Sequence, residues 1–139
     1  MELVVDANIL IAALLKDNAT RKILILNNHT YSIPEYLIDE IIKHLSELAE
    51  KSSMPKEVLT EILLEIIHAA NIQIIPLTEL NSYYDRAKRI SPDIDDAYYF
   101  ALALRNNCTI WSNDKKLKTQ SQVRVLNTHE IIAYTNEKQ

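Results

Sequence analysis

The sequence predicts an α/β domain: a mainly parallel central sheet of about five strands with helices on both faces. Three observations lead there. Short apolar runs of strand length, such as Leu3–Val5 and Cys108–Trp111, alternate with longer stretches whose apolar residues recur at helical spacing. Strands separated by helices join through right-handed crossovers, which makes the pairing parallel and covers both sides of the sheet. Finally, 139 residues, 47% hydrophobic and 24% charged, suit one domain over residues 1–139 with a real core, and no repeat or linker divides them.

Taken in order, Leu3–Val5 is an apolar run closed by Asp6, which suits a buried strand. Ala7–Lys16 and Ala19–Leu26 are predicted helices, with Asp17 and Asn18 between them as caps. His29–Ile33 reads as a second strand, stopped by Pro34. Tyr36–Glu50 sets Leu37, Ile38, Ile41, Ile42, Leu45, Leu48 and Ala49 at helical spacing. Ser52-Ser53-Met54-Pro55 breaks the chain before a further helix to Ala70, Pro55 suiting a first turn. Ile72–Ile75 is a third strand ending at Pro76, and Thr78–Ile90 is helical. Ser91-Pro92-Asp93 opens another helix through Ala97, Phe100, Ala101 and Leu104. Cys108–Trp111 and Val123–Leu126 are the fourth and fifth strands, and Thr128–Tyr134 the closing helix.

Composition excludes several chemistries. The chain has no glycine, so it cannot build a glycine-rich phosphate loop, a dinucleotide fingerprint or the glycine-centred elbow of α/β-hydrolases. Any phosphate must be handled by side chains and metal ions. The net charge of −4 and pI near 5.5 do not decide against nucleic acid, because a carboxylate metal site biases the total and bound cations reverse the local sign. The lone Cys108 forms no internal disulfide and lies in an apolar run. No apolar run reaches membrane-spanning length and the first residues do not read as a signal peptide, so no membrane association and a cytoplasmic location are the expectations.

In an open parallel sheet, ligands bind beyond the carboxyl ends of the strands. Asp6 directly follows the first strand, and Ser112-Asn113-Asp114 directly follows the fourth. Singly, each acid has a plain structural explanation. Asp6 suits the cap of the next helix, Glu40 a solvated helix face, Asp93 and Asp96 a capping pair, and Asp114 a polar turn. Together, acids converging on one sheet edge repel by about 4 kcal/mol per close pair near a surface. Such a cluster is kept mainly when a hard cation occupies it, and all-oxygen ligands favour Mg²⁺ or Mn²⁺.

Val4-Val5-Asp6-Ala7-Asn8-Ile9-Leu10 resembles the opening motif of PIN domains, a strand ending in a metal-binding aspartate followed by a small residue and Asn or Ser. Asp96-Ala97-Tyr98-Tyr99-Phe100-Ala101-Leu102-Ala103 is similar to the family's third acid motif, and Thr109-Ile110-Trp111-Ser112-Asn113-Asp114 to its fourth. Glu40 stands where the family places its second acid, with Asp39 and Glu47 as neighbouring alternatives. The resemblance spans essentially the whole chain and implies a three-layer PIN-like fold. Asp93, Asp95 and Asp96 crowd the third motif. Asp93 and Asp96 share a helical face that Asp95 does not, so Asp96 is taken as ligand with Asp93 assisting. A glycine that relatives often carry before the fourth strand is missing, and Asn106-Asn107 supplies the turn.

The resemblance implies that Asp6, Glu40, Asp96 and Asp114 hold one or two Mg²⁺ or Mn²⁺ ions for phosphodiester hydrolysis, with Asn8 and Ser112 orienting them by hydrogen bonds. Lys115, Lys116 and Lys118 follow the fourth acid, where they either steer the phosphate backbone or form a solvated loop. The histidines show no zinc spacing, and His44, one turn past Glu40, is not counted in the site. Trp111, Tyr98 and Tyr99 read as core. The implied activity is that of an endoribonuclease acting as the toxin of a toxin–antitoxin pair, with RNA as substrate, an antitoxin as partner, and a homodimer using the apolar stripes around Leu37–Ala49 or Val58–Ile67. The alternatives are a housekeeping RNA-processing or DNA-directed nuclease of the same fold, and a non-catalytic module that binds RNA or protein.

Overall fold

The computed structural model describes residues 1–16, 18–26 and 28–137; the cap expected at Asp17 lies outside the described residues. Five strands, β1 (Glu2–Val5), β2 (Thr30–Pro34), β3 (Gln73–Ile75), β4 (Thr109–Trp111) and β5 (Val125–Leu126), form one sheet in the order β3-β2-β1-β4-β5. Every pairing is parallel. The chain builds outward from β1 to β3 on one side, then returns to lay β4 and β5 on the other. That reversal puts the topological switch point between β1 and β4, and the crevice for a ligand opens beyond their carboxyl ends.

Among the described residues seven α-helices connect the strands, α1 (Ala7–Leu15), α2 (Ala19–Leu26), α3 (Tyr36–Lys43), α4 (Leu45–Ser52), α5 (Lys56–Ala69), α6 (Asn81–Ile90) and α7 (Ala97–Asn106), and an eighth, α8 (Thr128–Glu137), follows β5. Asn18 caps α2 as expected, its Oδ1 accepting the Arg21 amide at 3.1 Å. The alanine-rich α7 lies directly against β1, β2 and β4, with Ala97, Ala101 and Ala103 buried beside Phe100 and Leu102. Small side chains let the helix approach the sheet closely, and α6 packs along its outer side. Trp111, Tyr31 and Phe100 are among the largest fully buried side chains.

Two expected helices differ in detail. The helix over Tyr36–Glu50 breaks at His44 (φ −99°, ψ 6°), whose amide reaches the carbonyls of Glu40 and Ile41, and α4 leaves in a new direction to pack on α5. The helix expected from Asp93 begins one turn later. Ser91 before Pro92 is extended (φ −64°, ψ 127°), as a residue preceding proline prefers, and Asp93 is extended too (φ −130°, ψ 131°). A 3₁₀ turn, Ile94–Asp96, then leads into α7.

Without glycine, left-handed backbone falls to Ser53 (φ 59°), Asn71 (φ 51°) and Asn107 (φ 50°). Asparagine tolerates this region best among residues with a Cβ, and Asn107 makes the turn into β4 that the sequence predicts. Ile42, Val58 and Leu64 keep large apolar side chains exposed on α3 and α5, the stripes expected to exceed the core. No helix among the described residues is long and apolar enough to cross a membrane.

Candidate active site

Val5 and Trp111 pair in register, so Asp6 and Ser112 leave adjacent strands side by side. The Asp6 amide donates to the Trp111 carbonyl at 3.3 Å, extending the ladder by one bond. Backbone at Asp6 then turns into α1, and its Oδ1 accepts the Ile9 amide at 3.0 Å. The capping explanation therefore holds, yet it occupies only one oxygen. Oδ2 accepts the Ser112 hydroxyl, and the same Ser112 oxygen accepts the Asp114 amide at 3.1 Å. One serine thus ties the first acid to the segment carrying the fourth.

Burial raises the Asp6 carboxyl above the ordinary aspartate range; bonds from Ser112 and Ile9 pull it back down, and the Asp114 charge adds to the rise. Asp114 is exposed and caps a 3₁₀ turn, Lys115–Thr119, through Oδ1 to the Lys116 amide at 3.0 Å. Asp96 arrives from the turn before α7 and makes no capping bond of its own. Its carboxyl is pushed up to about 6, first by burial and then by the charges of Asp93, Asp114, Asp6 and Asp95. The sheet edge therefore brings Asp6, Asp96 and Asp114 near enough to repel one another, without Glu40.

Asp96 also lines a cleft of about 470 Å³ with Asp95, Glu40, Asn8, His44 and Tyr36. Asp95, not Asp93, shares this wall. Asp93 is spent on the turn, its Oδ1 accepting the Asp95 amide at 3.0 Å, because the helix in which Asp93 and Asp96 were expected to share a face starts only after both. Glu40 reaches the cleft from α3, but it is not among the charges that raise Asp6 or Asp96. His44, left out on sequence grounds, stands beside it, with Nε2 at 3.8 Å from Glu40 and Nδ1 at 3.6 Å from Glu47. Asn8 lines the cleft, and its backbone amide bonds Asp6.

A pair of tyrosines joins the acid-bearing segments. The buried Tyr99 hydroxyl accepts the Ala7 amide at 3.1 Å and is hydrogen-bonded to Tyr36. Tyr36 in turn donates to the Asp95 carbonyl at 3.3 Å. Burial, chiefly, pushes Tyr36 up to about 12 and drives Tyr99 higher still, so both hydroxyls stay neutral. Tyr98 is half-buried instead of core, its ring between Tyr36 (centroids 5.4 Å apart) and Tyr84 (4.8 Å). The relay escaped sequence reading because Ala7 and Tyr99 are 92 residues apart; the run of aromatic residues after Asp96 was its only signal. Lys115 and Lys116 are exposed beside Asp114, whereas Lys118 pairs with Glu130.

The donor set is all oxygen and lacks enough positive charge to balance it, which fits a hard divalent cation. Among the described residues, no three acidic, histidine or cysteine side chains converge closely enough to enclose an ion as they stand. Asp6, Asp93 and Asp114 each give an oxygen to a backbone cap, and Asp6 gives the other to Ser112.

Residues 4–135 match the model of a family described as the PIN domain. Among solved structures, the fold is similar to VapBC2 from Rickettsia felis bound to a DNA fragment from their promoter, with a TM-score of 0.70 at 20% identity over 91% of this chain and 98% of that one. It is also similar to PAE2754 from Pyrobaculum aerophilum, with a TM-score of 0.68 at 15% identity over 99% of this chain and 90% of that one. No curated protein matches the sequence significantly.

Proposed function

The chain belongs to the PIN domain family of nucleases, and from that premise we propose that it is a metal-dependent endoribonuclease, the toxin of a toxin–antitoxin pair. One observation carries the catalytic part: acids from three separate segments act on one another at one sheet edge, the Asp114 charge raising the proton affinity of Asp6, and the charges of Asp114 and Asp6 raising that of Asp96. Carboxylates that raise one another's proton affinity and form no ion pair among the described residues cost stability unless a cation balances them.

Asp6, Asp96 and Asp114 would hold the metal, with Glu40 approaching from the far wall of the cleft. When bound, one or two Mg²⁺ or Mn²⁺ ions supply Lewis-acid stabilisation of the phosphodiester and acidify the attacking water. The protein's part is orientation. Ser112 fixes the Asp6 carboxylate and the Asp114 backbone together, Asn8 lines the cleft where substrate would lie, and Asp93 adds negative charge beside Asp96. Lys115 and Lys116 stand where a phosphate backbone would be met. In this reading a second copy of the chain covers apolar side chains such as Val58 and Leu64, and an antitoxin protein inhibits the enzyme.

Cleavage of a labelled single-stranded RNA tests the reading, with Mg²⁺ or Mn²⁺, with EDTA, and with Asp6→Asn and Asp96→Asn proteins alongside. Metal-dependent cutting lost in both variants is expected. Cutting that survives EDTA or both substitutions removes the carboxylate site from the reaction, and binding without turnover in Mn²⁺ would make the domain a binding module.

A further inference from the structure

A basic groove lies apart from the cleft that Asp96 lines. Its walls are α6 and the segment 120–124. At its upper end a cavity of about 540 Å³ is lined by Arg86, Arg89, Gln120 and Gln122. Below it a second cavity, of about 360 Å³, is lined by Arg86, Asn107, Gln122 and Arg124. Arg86 and Gln122 belong to both, so the two are one path. No acidic residue lines either cavity, and among the described residues Arg86, Arg89 and Arg124 make no ion pair. Arg124 is near enough to Glu130 for its charge to help lower that carboxyl, but Glu130 lines neither cavity; in a chain of net charge −4, three arginines along one groove without an acid in its walls suit an anionic ligand.

Both walls connect along the chain to the segments that carry the acids. Helix α6 ends at Ile90, three residues before Asp93, and the other wall follows the 3₁₀ turn capped by Asp114, past Lys115 and Lys116. The second wall is firm: the Gln120 side chain donates to the Leu117 and Val123 carbonyls and accepts the Gln122 and Val123 amides. Arg124 rests its guanidinium over the Tyr134 ring, 5.9 Å from the centroid. Arginine with amide side chains is the usual lining of a phosphate track. A protein partner would want more apolar surface than Ile90 in the upper cavity and the largely withdrawn Leu104 and Val123 in the lower one.

We propose that this groove binds the phosphodiester backbone of single-stranded RNA flanking the bond to be cut, with Arg86, Arg89 and Arg124 as the side chains that meet its phosphates. The proposal rests on the ribonuclease reading for the identity of the ligand but is tested apart from catalysis.

Binding of a labelled single-stranded RNA of about a dozen nucleotides is followed by anisotropy in EDTA, across roughly 50 to 200 mM salt. The Arg86→Ala/Arg124→Ala protein should bind roughly tenfold more weakly, with the salt slope reduced by about 0.7 for each phosphate no longer neutralised. The Arg→Lys pair should retain the slope, and Gln122→Glu, which adds negative charge to the shared wall, should weaken binding without removing an arginine. In Mg²⁺ or Mn²⁺ the alanine pair should raise KM and leave kcat alone. Unchanged affinity and slope in the alanine pair and in Gln122→Glu would overturn the groove even if RNA is cut. Loss of binding in both would uphold it even if no RNA is cut. Poly-glutamate binding more tightly than RNA, and lost in the same variants, would overturn it in favour of an acidic protein.

Discussion

The Ser112 hydroxyl donates to the Asp6 carboxylate across 106 residues of chain while accepting the amide of Asp114. It therefore fixes both the orientation of a buried acid and the path of the segment carrying an exposed one. Ser112→Ala should weaken Mn²⁺ binding about 10- to 100-fold, the usual cost of losing a group that orients a metal ligand. It should also cost about 1–3 kcal/mol of stability, because the buried Asp6 oxygen loses its donor. The shift of melting temperature with Mn²⁺ concentration measures both. A variant that binds Mn²⁺ as tightly as the parent would show that Ser112 is merely packed there.

The raised Asp96 carboxyl sets a direction for metal-free stability. Its folded value of about 6 lies above the ordinary 3.8, so between those values the folded chain holds more protons than the unfolded one. Stability then falls as pH rises through that window. Metal-free protein should melt at a higher temperature at the acid end of the window than just above pH 6, and saturating Mn²⁺ should flatten or reverse the trend. A melting temperature that rises steadily over the same window without metal would remove Asp96 as the dominant group.

Asp96→Asn keeps the shape of the side chain and removes the charge that four neighbouring carboxylates oppose. In EDTA above pH 6 this protein should melt at a higher temperature than the parent, while its response to Mn²⁺ shrinks. Stability and metal response therefore move in opposite directions, as they do where a site is kept at the expense of the fold. Lower stability in EDTA would mean that Asp96 is held by favourable contacts.

Tyr99→Phe leaves the ring and deletes the hydroxyl that accepts the Ala7 amide and joins Tyr36. Losing that buried acceptor should cost about 1–3 kcal/mol, read by chemical denaturation. It should also loosen the link between the segments bearing Asp6 and Asp95, and so weaken Mn²⁺ binding severalfold. Tyr98→Phe, whose hydroxyl is not part of the relay, is the control and should leave Mn²⁺ binding unchanged.

The order of strands and helices was legible along the chain because it rests on local periodicity, and Asn107 was legible as a turn because few residues tolerate its backbone. Asp6 and Asp114 were legible as strand-end acids for the same reason. The break at His44 was hidden, since apolar spacing runs smoothly through it and only packing of α4 on α5 turns the chain. The roles within 93–96 were hidden as well: the sequence shows three candidate acids, but Pro92 and the extended backbone at Asp93 decide that Asp95 and Asp96 face the cleft.

By itself, then, the sequence determined the parallel sheet, the acids at its edge and the exclusion of glycine-based phosphate chemistry, because these depend on residue type and on neighbours a few positions away. Tertiary structure alone decided which groups the expected Ser112 hydrogen bonds join, the Tyr99–Tyr36 relay and the arginine groove. Each joins segments far apart in the chain, and their meeting is set by the register of β1 on β4 and the packing of α6 on α7, which no local pattern encodes.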